Sequence, residues 1–379
     1  MRSLRSMRAP SGAMILASVW LVACCPPSGE EEETEAPTPE TCTGAACLEA
    51  AQPLMADQPA EAAPWLQRGC DTGSAESCYQ LSLMYDVGRG VLRDWARSMQ
   101  LLSGACEAGH FGACHNLGVG YQLGQGAERD YAAARRAFER ACDGNWAASC
   151  TNLGAMYAGG QGVPADATRA YGYFERACNA QDAVGCANQG GQLVRGDGVA
   201  ADPARGLTLL RAQCTDTVVA GCRGLANLHW DGIGVPQDRQ EALRLYRRAC
   251  AEENQDACTD VGESIEAGIG LAEGAEPDHA ESARLFQAAC EYGIPRACYH
   301  LAAALWYGRG VPEDRPQSIE RYQSACDAGY LAACNDLGTC YASGDGVDAD
   351  PARARTLFQR ACEGGIAPAC ANLQRLVGE

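Results

Sequence analysis

The chain has 379 residues, a formal net charge of −18 and no lysine. So acidic a surface excludes nucleic acid as a partner and disfavours electrostatic docking to anionic lipid. The missing lysine removes Schiff-base, Walker-loop and Ser-x-x-Lys chemistry.

Residues 1–23 read as an export signal. Arg2, Arg5 and Arg8 form a basic start, and Ala13–Ala23 is apolar but too short to span a bilayer. Leu21-Val22-Ala23-Cys24 resembles a bacterial lipobox, with Cys24 as the lipid-modified residue after cleavage. Acyl chains there anchor the protein to the membrane, each buried CH₂ contributing about 0.8 kcal/mol. Removing the signal takes three arginines and no acid, leaving a mature chain at −21. Residues 24–47 read as a lipidated tether. Its stretch 26–41 is rich in Pro, Glu and Thr and has no apolar side chain larger than Ala, so it cannot bury a core. Cys42 and Cys47 can close a small loop at its end.

Residues 48–379 are a repeat array of nine units. Cysteines recur in pairs eight apart: Cys70 and Cys78, Cys106 and Cys114, Cys142 and Cys150, Cys178 and Cys186, Cys214 and Cys222, Cys250 and Cys258, Cys290 and Cys298, Cys326 and Cys334, Cys362 and Cys370. Each pair begins 36 residues after the last, except for one step of 40 between Cys250 and Cys290. A period of this size means a solenoid of small units, none able to bury its apolar face alone.

Each unit reads as two helices. In 238–250 the apolar residues Ala242, Leu245, Tyr246, Ala249 and Cys250 follow the i, i+3, i+4, i+7, i+8 spacing of one helical face. An Asp stands twelve residues before the first cysteine in eight units, from Asp94 to Asp350, where it can cap the first turn. After the second cysteine, Cys150, Leu153, Gly154 and Tyr157 make another stripe, which stops at a G-x-G such as Gly160/Gly162. That G-x-G lacks the third Gly and the preceding strand of a dinucleotide site, so it reads as punctuation. Small residues four after the second cysteine, such as Gly118 and Gly154, let neighbouring helices approach closely. Gln58 and Pro59 replace the capping Asp in the first unit, and four extra residues around 272–278 lengthen one loop.

The segment Cys150–Asp166, CTNLGAMYAGGQGVPAD, followed by an A-x-x-x-F-E-R-A-C helix, resembles a Sel1-like repeat. With two cysteines eight apart in every unit, the chain is similar to the Helicobacter cysteine-rich protein family of exported Sel1-like proteins. The resemblance covers about residues 59–379. It implies an all-α fold: an α/α-hairpin solenoid, a superhelix like that of tetratricopeptide repeats, with one disulfide per hairpin. Some members are described as penicillin-binding or weak β-lactamases and others as partner-binding proteins, but no catalytic residue carries over.

The spacing within pairs never varies, whereas the spacing between them does, so the cysteines are expected to pair inside their own hairpins. A nine-residue loop closed this way gains about 2.5 kcal/mol on the chain-entropy model. Zinc sites favour two to four residues between cysteines, often with His; seven intervene here, and His occurs five times. No metal or cofactor is expected. Cys25 and Cys340 have no obvious partner, and a buried inert thiol is the reading for Cys340.

A polar residue recurs two positions after the second cysteine: Gln80, Asn116, Asn152, Asn188, Asp260, His300, Asp336 and Asn372, with Gly224 the exception. Asn116, Asn152 and Asn188 are candidate peptide-binding amides. The blander reading, favoured by the sequence, is that each ties down a neighbouring loop. There is no H-E-x-x-H and no G-x-S-x-G. The expected function is therefore a lipid-anchored scaffold of the bacterial cell envelope, on the periplasmic face or cell surface, that binds a protein or peptide. The alternative, carried by the resemblance alone, is a weak β-lactam hydrolase.

Overall fold

A computed structural model describes residues 38–271 and 275–378. Cys24, Cys25, the signal and most of the tether lie outside them, as do residues 272–274 of the lengthened loop. Within the described residues the chain forms twenty helices and no strand. In chain order these are α1 (Ala45–Ala51), α2 (Leu54–Asp57), α3 (Pro59–Asp71), α4 (Ala75–Val87), α5 (Trp95–Glu107), α6 (Phe111–Leu123), α7 (Tyr131–Asp143), α8 (Ala147–Gly159), α9 (Ala167–Asn179) and α10 (Ala183–Arg195). The second half continues with α11 (Pro203–Ala212), α12 (Cys222–Asp231), α13 (Arg239–Ala251), α14 (Gln255–Glu266), α15 (His279–Glu291), α16 (Pro295–Tyr307), α17 (Arg315–Asp327), α18 (Leu331–Ser343), α19 (Pro351–Glu363) and α20 (Ala367–Gly378).

From α3 onward, odd helices lead and even helices follow in nine hairpins. All nine predicted cysteine pairs are disulfides, with Cα atoms 4.3–4.9 Å apart. A tenth, Cys42–Cys47, ties the turn before α1 to the first turn of that helix. Since α1 packs on α3 and α4, the helical body begins before residue 48.

The eight capping aspartates accept a backbone N–H three residues on, Asp94 from Arg97 at 2.9 Å and Asp130 from Ala133 at 2.9 Å. The G-x-G does more than stop a helix. Except after α14, its first Gly is the left-handed cap; at the second, other than Gly234 and Gly270, a Cβ would strike the start of the leading helix of the same hairpin, as at Gly126 against Trp95 and Gly198 against Ala167. The Gly four after the second cysteine makes room for an aromatic ring. A Cβ on Gly118, Gly154, Gly262 or Gly338 would lie 2.5–2.8 Å from Phe138, Phe174, Phe286 or Phe358 of the next hairpin.

Phe111, Trp146 and Tyr330 sit at the first residue or N-cap of a following helix, and neither Trp146 nor Tyr330 caps it with a side-chain bond. The fifth hairpin is irregular: α11 ends at Ala212 and α12 starts only at Cys222. Elsewhere the residue three after the first cysteine takes a left-handed conformation: Gly at five hairpins, Asn145, Gln181 and Glu253 at three. Here that residue is Thr217, whose branched Cβ resists it. The chain instead makes a wider turn, with the Thr215 N–H on the Val218 carbonyl and the Gly221 N–H on that of Gln213.

Glu253, at φ 61°, carries the same strain in a hairpin that does form. Its side chain is exposed, so little is lost on removing it. Glu253→Gly is expected to stabilise the protein by up to about 1 kcal/mol, because a left-handed L-residue costs about 1–2 kcal/mol and Gly gives part back in the unfolded chain. A lower thermal midpoint than wild type would contradict this.

Candidate functional site

The even helices form the tighter of the two layers. Within the nine hairpins successive even helices touch (α8 with α10, α10 with α12, α14 with α16, α18 with α20), whereas successive odd helices from α3 onward do not approach to the same extent. The even layer therefore lines the inner face of the solenoid. Residues two, five, six and nine after the second cysteine share one side of an even helix, and this side faces a row of cavities.

Five cavities lie along the row, and each includes a residue of the polar ladder. Gln80 lines one of about 520 Å³ with Met55, Leu83, Met84 and Val87. Asn116 lines one of about 230 Å³ with Trp95, Met99 and Val119. Asp260 lines one of about 270 Å³, Asp336 one of about 200 Å³, and Asn372 one of about 290 Å³. The side chains of Asn116, Asn152 and Asn188 are half-buried and make no hydrogen bond with any described residue. They do not tie down loops, contrary to the reading the sequence favours. The loop groups already have partners: the Asp130 and Asp166 N–H groups donate to the Tyr121 and Tyr157 carbonyls, and the aspartate side chains cap the next helix. The three amides retain unused donors and acceptors on the inner face.

The lining changes character along the chain. From α4 to α8 it is mostly uncharged, with Gln80, Leu83, Met84, Val87, Asn116, Val119, Leu123 and Asn152, and its charges are Asp86 and Arg89 at and just past the end of α4. From α12 onward it is charged. Asp260, 7% exposed, accepts from Arg223 Nε at 2.7 Å and from Arg296. Glu263 accepts from Arg296 at 3.1 Å and His300 Nε2 at 2.8 Å. Burial opposes the Glu263 charge, but His300 and Arg296 hold it below the usual carboxylate range. Asn227 accepts from the Tyr246 hydroxyl at 2.6 Å. Sequence reading reached Asp260 and His300 but not Arg223, Arg296 or Glu263. A signal existed: Arg223 and Arg296 are the arginines at positions where no other unit carries a basic residue other than His115.

Polar rungs also join neighbouring hairpins. His110 Nδ1 accepts from the Ala113 N–H, so its Nε2 donates to Glu76 at 2.8 Å. Thr151 donates to Asp182 at 2.8 Å. His115 Nδ1 bonds Ser149 Oγ at 2.9 Å, and burial lowers the His115 pKa against the pull of Asp182. That pair has the parts of an activated serine, but Ser149 is fully buried and reaches no cavity. Cys340 carries no disulfide and is buried; its thiol is pushed up to about 11, chiefly by burial and then by Asp336, so it is inert. Among the described residues no cluster of His, Cys, Asp and Glu has the makings of a metal site. Nor is any helix among them long and apolar enough to cross a membrane.

A disulfide in every hairpin and a polar inner groove define a helical-repeat scaffold that folds in an oxidising compartment, outside the cytoplasm. The family model of the Sel1 repeat matches residues 75–110, 112–146, 147–182, 219–254, 255–293, 295–330 and 331–366, and the chain belongs to the Sel1 repeat family. The unmatched 183–218 ends in the irregular fifth turn. Among solved structures the chain is similar to a protective antigen of uropathogenic Escherichia coli (22% identity, 88% of this chain and 87% of that one, TM-score 0.49). It is similar also to a Sel1 repeat protein from Oxalobacter formigenes (25%, 82% and 89%, 0.48) and to Helicobacter pylori cysteine-rich protein B (21%, 44% and 93%, 0.22). No curated protein matches its sequence.

Proposed function

We propose that the protein is an exported scaffold, lipid-anchored through Cys24, that binds an extended polypeptide along the inner face of its even helices. The observation that carries this reading is the register of Asn116, Asn152 and Asn188. They are half-buried amides without protein partners, one per hairpin, on the side of the solenoid where the cavities lie. An amide offers a donor and an acceptor at once, as a peptide bond requires, and Val119 and Leu123, between Asn116 and Asn152, suit apolar side chains. The anchor is supported by Leu21–Cys24 and by the acidic Pro/Glu/Thr-rich stretch behind it.

Purified protein, immobilised and exposed to peptides from digested bacterial envelope, is expected to retain a defined set. Asn116→Ala, Asn152→Ala and Asn188→Ala combined should weaken that retention tenfold or more, since each lost hydrogen bond contributes about 0.5–1.5 kcal/mol. An unchanged set on the triple variant would overturn the reading. In cells, Cys24→Ala should move the protein from the membrane to the soluble fraction; membrane retention would refute the anchor.

A further inference from the structure

Two cavities in the C-terminal half are built from the same residue types at the same repeat positions. Around one stand Trp230, eight after a second cysteine, Tyr246, four before the next first cysteine, and Asp260, two after the next second cysteine. Around the other, Trp306, Tyr322 and Asp336 hold those three positions.

The two differ in their counter-charge. In the first, the protein supplies its own cations: Asp260 is clasped by Arg223 and Arg296. In the second, the equivalent positions hold Tyr299 and Pro368. Asp336 accepts from Asn335 Nδ2 at 2.9 Å and forms no ion pair among the described residues. The nearby guanidiniums lie against the aromatic walls and do not pair with the carboxylate. Arg315 stacks on Trp306 at 5.0 Å and pairs with Glu313 and Asp345; Arg309 stacks on Tyr307 at 5.3 Å. Tyr322 is 5% exposed, and its hydroxyl has no partner among the described residues. Burial and then the Asp336 charge hold its phenol well above the usual range, so it stays neutral and leaves the carboxylate as the single charge of the site.

We propose that the cavity of Trp306, Tyr322 and Asp336 is a cation subsite that takes the guanidinium or alkylammonium of a basic side chain. Its source is the polypeptide in the groove, and to that extent the subsite rests on the reading above. A half-buried carboxylate without a counter-ion is costly, and aromatic faces attract a cation from the sides. A planar guanidinium satisfies both, as the arginines of the sister cavity do for Asp260.

The test uses the full oxidised chain and small probes, read by titration calorimetry. N-acetyl-arginine amide is expected to bind, and N-acetyl-citrulline amide, its neutral counterpart, at least tenfold more weakly. Asp336→Asn should weaken the arginine probe at least tenfold. Tyr299→Arg with Pro368→Arg, which copies the sister cavity, should abolish its binding by filling the site from within. The two variants perturb different residues, so misfolding of one, seen by circular dichroism, leaves the other decisive. Absence of arginine binding, equal binding of citrulline, or no effect of either folded variant overturns the proposal. Tighter binding of tetramethylammonium than of either N-acetyl-arginine amide or N-acetyl-lysine amide overturns a side chain as the source. Retained arginine binding with no captured polypeptide refutes the groove reading alone; captured polypeptide with no arginine binding refutes the subsite alone.

Discussion

Full reduction of the disulfides is expected to unfold the protein at temperatures where the oxidised form remains helical. The reason lies in the thinness of the core. Its buried residues are largely alanine and cysteine, with few large side chains per hairpin, such as Phe138 and Leu153 or Phe174 and Leu193. In a solenoid, stability is a sum of repeat terms and nearest-neighbour interfaces, so a hairpin short of apolar burial must be held otherwise. Each staple closes nine residues and contributes about 2.5 kcal/mol on the chain-entropy model. Nine of them together exceed the 5–15 kcal/mol net stability of ordinary domains. Removing one, by Cys142→Ala with Cys150→Ala, should cost about 2–3 kcal/mol and act locally. Hydrogen exchange should quicken in α7 and α8 before it does in distant hairpins. A reduced protein that melts cooperatively within a few degrees of the oxidised one would show that packing alone suffices.

What the sequence made legible is what repeats. The aspartate caps, the cysteine pairs and the glycine stops each recur at fixed spacing, so a local rule applied once held at nearly every hairpin. The fifth turn escaped because its cysteines keep their spacing of eight while Thr217 denies the left-handed residue that the turn needs. The ladder was visible as a column of polar residues, yet its role was not. Whether Asn152 reaches a loop or an open face depends on how one hairpin is rotated on the next. The arginine clasp was further from view. Arg223 and Arg296 lie 37 and 36 residues from Asp260, on separate hairpins, and only stacking brings them onto one carboxylate. Features internal to a unit can be read from the unit; features made between units need the superhelix.

The contact between α8 and α9 offers a sharper test of that stacking. Phe174 is 4% exposed and lies over Gly154, where a Cβ would stand 2.5 Å from the ring. The ring is enclosed and cannot swing away, so Gly154→Ala must push the hairpins apart, at about 1–3 kcal/mol. Phe174→Leu alone should cost about 1–2 kcal/mol in lost contacts and a partly filled void. The two changes should not add. The chain already uses the looser combination at its first interface, where Ser82 and Leu102 hold these two repeat positions, whereas each Phe at this position faces a Gly. With Leu at 174 the added methyl has room, and the double variant should regain about 1–2 kcal/mol relative to the sum of the singles. Strict additivity in denaturant unfolding would mean that ring and glycine are not in contact. The spacing of the whole superhelix would then be set by something other than this repeated pair.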